Sequence, residues 1–444
     1  MILMENENTR HSRRDFVKQT TMLAGGIMAM PLVSNAGYFQ SVDDTIKVAV
    51  IGCGGRGTGA AMQALSTKQN VKLVAMADAF RDRLDSAYKA LTDGDEGNVK
   101  DKVAVTEETK FVGFDAYKKV IPMADVVIIA TPPGFRPIHF EEAINQGKHV
   151  FMEKPLATDP AGVKKVLEVA EVAKKKKLNV VVGLQRHYQT SYRELYKRVQ
   201  DGMIGDITSG QVYWNSDGVW VRPRKPGQTE MEYQMRNWYY FNWLCGDHIT
   251  EQHIHNLDVM NWFKGDYPVK AQGMGGRQVR TGKEFGEIYD HHYVEYQYAD
   301  GSIMNSQCRH IKGTYAIVDE ILVGTKGVVK CGAAEITSKG KSLFKFDKAK
   351  ENEPYQNEHD ELFAAIAKGE YKFADTENGA KSTLTSIIGR MATYSGQVID
   401  WDKTLNSGIS IQPAKYAWDA PPPVLPDSNG FYPIATPGVT KYFS

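Results

Sequence analysis

Five short runs of consecutive aliphatic residues mark the first 185 positions: Ile46 to Ile51, Val71 to Ala77, Ala124 to Ala130, His149 to Met152 and Asn179 to Gly183. Unbroken apolar runs of this length, rather than alternating ones, predict strands covered on both faces, as in a parallel sheet with helices packed on each side. The intervening stretches carry helical patterns, one of them over Pro137 to Asn145 with His139 inside it. Later the chain becomes rich in aromatics and amides, notably Tyr213-Trp214-Asn215 and Trp238-Tyr239-Tyr240-Phe241-Asn242-Trp243. From Trp418 to Ser444 prolines at 421, 422, 423, 426, 433 and 437 exclude helix and central strand. With Tyr432, Tyr442 and Phe443 along it, this end predicts an extended arm packed on its own domain or on a neighbouring subunit.

The first 43 residues read differently. Arg13-Arg14 precedes a mildly apolar stretch, Thr20 to Val33, that ends in the small residues Ser34 and Ala36. That layout predicts a twin-arginine export signal and a mature protein in the periplasm. The stretch contains Gly25, Gly26 and Pro31 and is too short for a stable membrane-spanning helix. The expected organisation is a signal and linker over 1–43, a nucleotide-binding domain over 44–185, a second α/β domain over 186–417 and the arm over 418–444.

A chain of 444 residues, 42% of them hydrophobic, can bury a large core without covalent staples. Its 54 Lys and Arg balance 53 Asp and Glu, so no excess positive field draws nucleic acid or anionic lipid. Cys53, Cys245, Cys308 and Cys331 show neither disulfide nor zinc spacing. The lysines from 174 to 177 read as a solvated face.

The first strand runs straight into Gly52-Cys53-Gly54-Gly55-Arg56-Gly57. Gly52, Gly54 and Gly57 occupy the three places of GxGxxG: a tight turn, close approach of backbone to a pyrophosphate, and close packing of helix on strand. The second strand ends in Asp78, at the distance expected for the acid that binds a ribose 2′-hydroxyl. Its charge favours NAD over NADP, although Arg81 and Arg83 follow closely. Gly55, Arg56, Thr131, Pro132 and Gln185, at the carboxyl ends of successive strands, complete the expected cofactor contacts, together with the Glu153-Lys154-Pro155 turn.

These pieces, with Ala130-Thr131-Pro132-Pro133 and a later segment from Glu251 to Asp258, resemble the glucose-fructose oxidoreductase, inositol dehydrogenase and MocA (Gfo/Idh/MocA) family from Thr45 to about Asp402. The family's DxxxH motif reads Glu251-Gln252-His253-Ile254-His255 here, with glutamate in place of aspartate. The resemblance implies an α/β protein: a doubly wound Rossmann domain, then an α/β domain whose large open, mainly antiparallel sheet carries substrate and forms the interface of a homo-oligomer. It assigns Lys154 and His255 to the acid/base and substrate-orienting pair, with Glu251 and Asp258 holding the imidazole or a sugar hydroxyl.

Alcohol oxidation by hydride transfer needs a positioned proton acceptor, worth about 10²- to 10⁴-fold. Glu251, His255 and Asp258 at i, i+4 and i+7 share one face of an unbroken helix. His248, Glu251 and His255 fall on that face too, but the spacing is not HExxH, and hydride transfer to NAD needs no metal. His253, His291, His292 and His310 read as satisfied polar or core residues. Arg186, His187, Trp238, Asn242 and Arg309 are the further candidates for substrate contact. The function expected is oxidation of a carbohydrate hydroxyl by tightly bound NAD. Two alternatives are a glycosidase working by oxidation, elimination and re-reduction, and a sugar sensor using NAD structurally. Lys154 argues against the first, because the relatives associated with it lack that lysine.

Overall fold

In the computed structural model, residues 44–93 and 99–443 are described; the expected export signal lies outside them. Strand β1 (Ile46–Ile51) shows why its apolar run is unbroken. Ala49 and Ile51 enter one core with Val127 and Ile129, while Ile46, Val48 and Val50 enter another with Ala60, Ala61 and Leu65 of the next helix. Around β1 lie β2 (Val71–Asp78), β3 (Lys110–Val112), β4 (Val126–Ile129), β5 (His149–Met152) and β6 (Val180–Val182). All pair in parallel in the order β3-β2-β1-β4-β5-β6. This is the doubly wound order in which the sheet reverses direction between β1 and β4, opening a crevice at the strands' carboxyl ends.

The second sheet has nine strands. They are β7 (Ile207–Ser216), β8 (Lys270–Gly276), β9 (His291–Gln297), β10 (Ile303–His310), β11 (Ile317–Gly324), β12 (Val328–Lys330), β13 (Glu335–Ser338), β14 (Lys341–Lys345) and β15 (Ile399–Asp400), ordered β14-β13-β12-β11-β7-β10-β9-β8-β15. Every pairing is antiparallel except β7 with β10, which run parallel from Ser209↔Ile303 to Ser216↔His310. Its inner face buries Val212, Val294, Tyr296, Met304 and Leu322 in the same core as the helices Ile254–Lys264 and Thr376–Ser395.

Two segments return to the nucleotide-binding half. Helix Pro354–Ala367, within the stretch expected to belong to the second domain, packs Leu362, Phe363 and Ile366 into the core shared with β1 and β2. The stretch from Ile411 into the proline-rich arm packs back as well. Ile411 N–H donates to Asp159, Trp418 lies 4.5 Å from Phe114 and 5.1 Å from Phe80, and Tyr289 Oη donates to Ala435 of the arm's far end. The arm thus packs on its own chain.

Candidate active site

The glycine turn is built by steric necessity. Gly52 sits at φ +95°, and a Cβ there would lie 2.6 Å from the backbone of Ala130 and Thr131. A Cβ on Gly57 would lie 1.8 Å from the Gly52 carbonyl oxygen. Gly54 faces open space, with nothing within 4 Å of a Cβ. The turn therefore packs tightly on the sheet side and stays open at the start of helix Gly55–Leu65, where free N–H groups attract an anion. Asp78 braces it: one carboxylate oxygen accepts from Cys53 N–H at 2.7 Å and the other from Phe80 N–H at 2.8 Å. Burial holds its carboxyl above the usual range, against the pull of those two hydrogen bonds.

Above this turn is a cavity of about 540 Å³. Gly52, Gly54, Gly55, Arg56, Asp78, Thr131 and Pro132 line it, as does Trp238. Arg83 is also on the wall. Arg81 turns away to Asp85 and Glu107. Trp220, Arg222, Met235 and Arg236 roof the cavity from the second domain. Its size, the open glycine cradle and the acid at the end of β2 fit a dinucleotide. Glu153 does not line it. That side chain pairs with Arg56 Nε at 2.5 Å, and Arg56 also meets the buried Glu358 at 3.4 Å and lies over Tyr355. Glu358 is a partner the sequence did not reveal, because it stands 302 positions from Arg56 and nothing local marks it.

Lys154 lies immediately after β5, joined to Pro155 by a cis peptide. Its ammonium donates to the Glu251 carbonyl at 2.6 Å and to the Glu251 carboxylate at 3.3 Å. His255 is 6% exposed, with Nδ1 unpaired and its ring over Trp214 at 6.0 Å. Burial, then the nearby charges of Lys154 and Arg186, hold its pKa well below the ordinary histidine value. Lys154, Glu251 and His255 therefore sit together beside the cavity and not on its wall.

Several expectations need correction. Glu251, His255 and Asp258 do not share one helical face, because the chain forms one turn, His248–Glu251, breaks at Gln252-His253 and restarts as Ile254–Lys264. Glu251 consequently faces Lys154 and leaves the His255 imidazole alone. Asp258 is 1% exposed and saturated: it accepts from Ser382 at 2.7 Å and Asn378 at 2.9 Å, and meets His187 Nε2 at 2.7 Å. Asp258 is thus committed to holding His187, Ser382 and Asn378 together. Arg186 is likewise held in a buried ion pair with Glu320, which also accepts from Tyr192 and Asn256. Arg309 is spent on Thr314 and the Tyr315 carbonyl, on the opposite side of β10 from His310. Asn242 is buried against Tyr394 at 3.2 Å. Gln185, at the end of β6, keeps a buried unpaired Oε1. Among the described residues the metal-type cluster is Asp247, His248 and His292, not His248 with Glu251 and His255.

The comparisons with known proteins agree with this geometry. Residues 46–184 match the family model described as oxidoreductase family, NAD-binding Rossmann fold, and residues 192–330 match the GFO/IDH/MocA C-terminal domain. An inositol 2-dehydrogenase of Rhizobium meliloti is 27% identical over 340 residues, covering 73% of this chain and 90% of that protein. One from Burkholderia cenocepacia is 30% identical over 245 residues, 53% of this chain and 59% of that one. Among solved structures, a scyllo-inositol dehydrogenase from Lactobacillus casei with bound NAD(H) and scyllo-inositol aligns at TM-score 0.59 and 20% identity, over 81% of this chain and all of that one. An aldose-aldose oxidoreductase from Caulobacter crescentus complexed with glycerol aligns at 0.62 and 18%, over 80% and 100%. At those identities the two structures bear on the fold alone. With both domain models matched in order and the glycine cradle formed, the chain belongs to the Gfo/Idh/MocA family of NAD-binding oxidoreductases.

Proposed function

We propose that this protein oxidises a secondary hydroxyl of a cyclitol, sugar or glycoside outside the cytoplasm, with NAD held tightly in the roofed cavity. One observation carries the reading: the Lys154 ammonium, fixed by Glu251 at the carboxyl end of β5, stands with His255 beside the dinucleotide cavity. NAD, when bound, supplies the ring that accepts hydride. Lys154 is placed to hold the hydroxyl oxygen and to offset negative charge that develops on it. His255, kept neutral by burial beside two cations, offers a ring nitrogen to the departing proton. Trp220 and Trp238 present aromatic faces to the CH surfaces of a sugar ring and exclude water. Export rests on Arg13-Arg14 and the apolar stretch after it. Assembly into a homo-oligomer through the second sheet rests on its outer face, where Tyr293 and Val318 stay exposed.

The test is a panel of cyclitols, aldoses and glycosides added to the purified protein while the absorbance of reduced nicotinamide is followed. A productive substrate reduces the cofactor in the wild type. Lys154→Ala and His255→Ala each slow that step by about 10²- to 10⁴-fold with cofactor still bound. Steady nitrophenol release from p-nitrophenyl glycosides, without net reduction, refutes this reading in favour of hydrolysis.

A further inference from the structure

Directly behind the tryptophan wall lies a polar set that the reaction above does not use. Trp220 and Trp238 both line the cavity, and both rest against the Tyr239 ring, at 6.2 and 5.6 Å. Tyr239 in turn lies 6.1 Å from His310, and His310 stacks on His248 at 4.5 Å. All three side chains are at most 3% exposed. Tyr239 Oη, His248 Nε2 and His310 Nε2 have no hydrogen-bond partner. Three unpaired buried polar atoms on touching rings are costly unless something pairs with them. They also adjoin Glu251, which fixes Lys154: His248 and Glu251 belong to the same one-turn helix, and the Glu251 charge is the largest electrostatic influence raising the Tyr239 phenol.

The tautomers follow from the partners on the other side of each ring. His248 Nδ1 is 2.7 Å from the Asp247 carboxylate and must carry its proton toward it, which leaves Nε2 as an acceptor. Arg280 donates to His310 Nδ1 at 2.7 Å, so in the neutral ring the proton is on Nε2, a donor. Burial keeps both rings neutral, His248 with a pKa of about 4 and His310 well below the ordinary value. The set therefore presents one fixed acceptor, one fixed donor and one phenol that does either. A hydroxyl, which donates and accepts at once, satisfies this arrangement; a carboxylate facing the His248 lone pair, or an ammonium facing the His310 N–H, does not.

Resting on the reaction proposed above, we propose that Tyr239, His248 and His310 form a subsite that recognises a second, non-reacting hydroxyl of a neutral polyol. Its cover is the segment around Gly218 and Trp220, where a Cβ on Gly218 would lie 3.3 Å from His310 Cβ. A metal ion does not fit as well. Asp247, His248 and His292 do bring one ligand atom each within 4.8 Å of one another. However, Asp247 is already saturated by His248 N–H, the His248 ring, Tyr289 N–H and Tyr394 Oη. His310, with Arg280 on Nδ1, has no free lone pair to give.

The experiment compares kcat/KM for a neutral polyol and for its monodeoxy analogues, in the wild type, Tyr239→Phe and His310→Leu. In the wild type one deoxy position costs about 10⁴-fold, because its absence strands the buried groups. In the variants the parent substrate weakens by roughly ten-fold and that deoxy penalty collapses. Tyr239→Phe keeps its unfolding temperature or gains, since it deletes a hydroxyl that has no partner, and a merely structural role would leave the deoxy ratio unchanged. Variants that keep the wild-type ratio overturn the subsite and leave the oxidation intact. Equimolar zinc in the purified protein also overturns it, and a wild type that oxidises no polyol overturns both this and the proposed function.

Discussion

Replacing Gly57 by alanine is the sharpest test of how the cofactor is gripped. The new methyl carbon arrives 1.8 Å from the Gly52 carbonyl oxygen, well over an ångström inside ordinary contact. Gly52 cannot retreat, because Ala130 and Thr131 already stand 2.6 Å from where its own Cβ would be. The strain must lift the first turn of helix Gly55–Leu65 away from the sheet. Overpacking of that kind costs about 1 to 3 kcal/mol of stability. Lifting the turn also moves the N–H groups aimed at the phosphates, and a hydrogen bond to a charged group is worth about 1.5 to 3 kcal/mol. One such bond lost weakens NAD binding by roughly 10- to 150-fold. Calorimetric titration of cofactor-free protein measures this directly. Gly59→Ala, on the same helix, meets only the flexible end of Arg56 at 3.4 Å. It should gain up to about 1 kcal/mol of helix stability and leave binding unchanged. A Gly57→Ala protein with wild-type affinity and melting temperature refutes the reasoning.

Asp258→Ala leaves His187, Asn378 and Ser382 unpaired in the interior and should cost about 3 to 5 kcal/mol in urea unfolding, with little change in KM of the protein that remains folded. Glu287 is raised by burial to a pKa of about 7 from the usual 4.5. A raised carboxyl stabilises fully below its unfolded value and loses that contribution as pH climbs through the folded one. Relative to Glu287→Gln, the wild type should therefore fall by about 3 kcal/mol between pH 4.5 and 8, and parallel pH curves for the two proteins would contradict the assignment. Trp418→Ala removes the arm's brace from Phe80 and Phe114, which wall the cavity beside Asp78. Cofactor should then be lost on prolonged dialysis, while wild-type protein retains it.

The nucleotide-binding half was legible in the sequence because its constraints are local. Five aliphatic runs became five strands, and Gly52 and Gly57 are glycines for steric reasons that a fixed spacing reports directly. Asp78 could be read for the same reason: it ends a strand at a set distance from the turn. The short strand β3 (Lys110–Val112) escaped notice, since three half-exposed residues carry no apolar run. The catalytic segment was harder. Placing Glu251, His255 and Asp258 on one face assumed an unbroken helix, but Gly246 and Asp247 adopt positive φ and only a single turn follows them. Gly246-Asp247 before His248 is a stop followed by a cap, a signal that a helix begins there, yet nothing in Gln252-His253 announces its end.

The remaining failures share one cause. Arg186 reads as available because a lone arginine after a strand gives no hint of Glu320, 134 positions away, and Asp258 reads as free to hold the imidazole or a sugar hydroxyl because Ser382 and Asn378 lie over a hundred positions on. Sequence reveals which residues carry charge, whereas pairing between distant segments decides which of them remain free to meet a ligand. Alternation alone carries some of that information. Arg309 and His310 are neighbours on β10, so they must point to opposite faces. Of the two only His310, with Cys308 and Ser306, faces inward toward His248 and the tryptophan wall. Deoxy-substrate discrimination at His310, and its indifference to Arg309→Ala, would establish on which side of that strand the substrate is read.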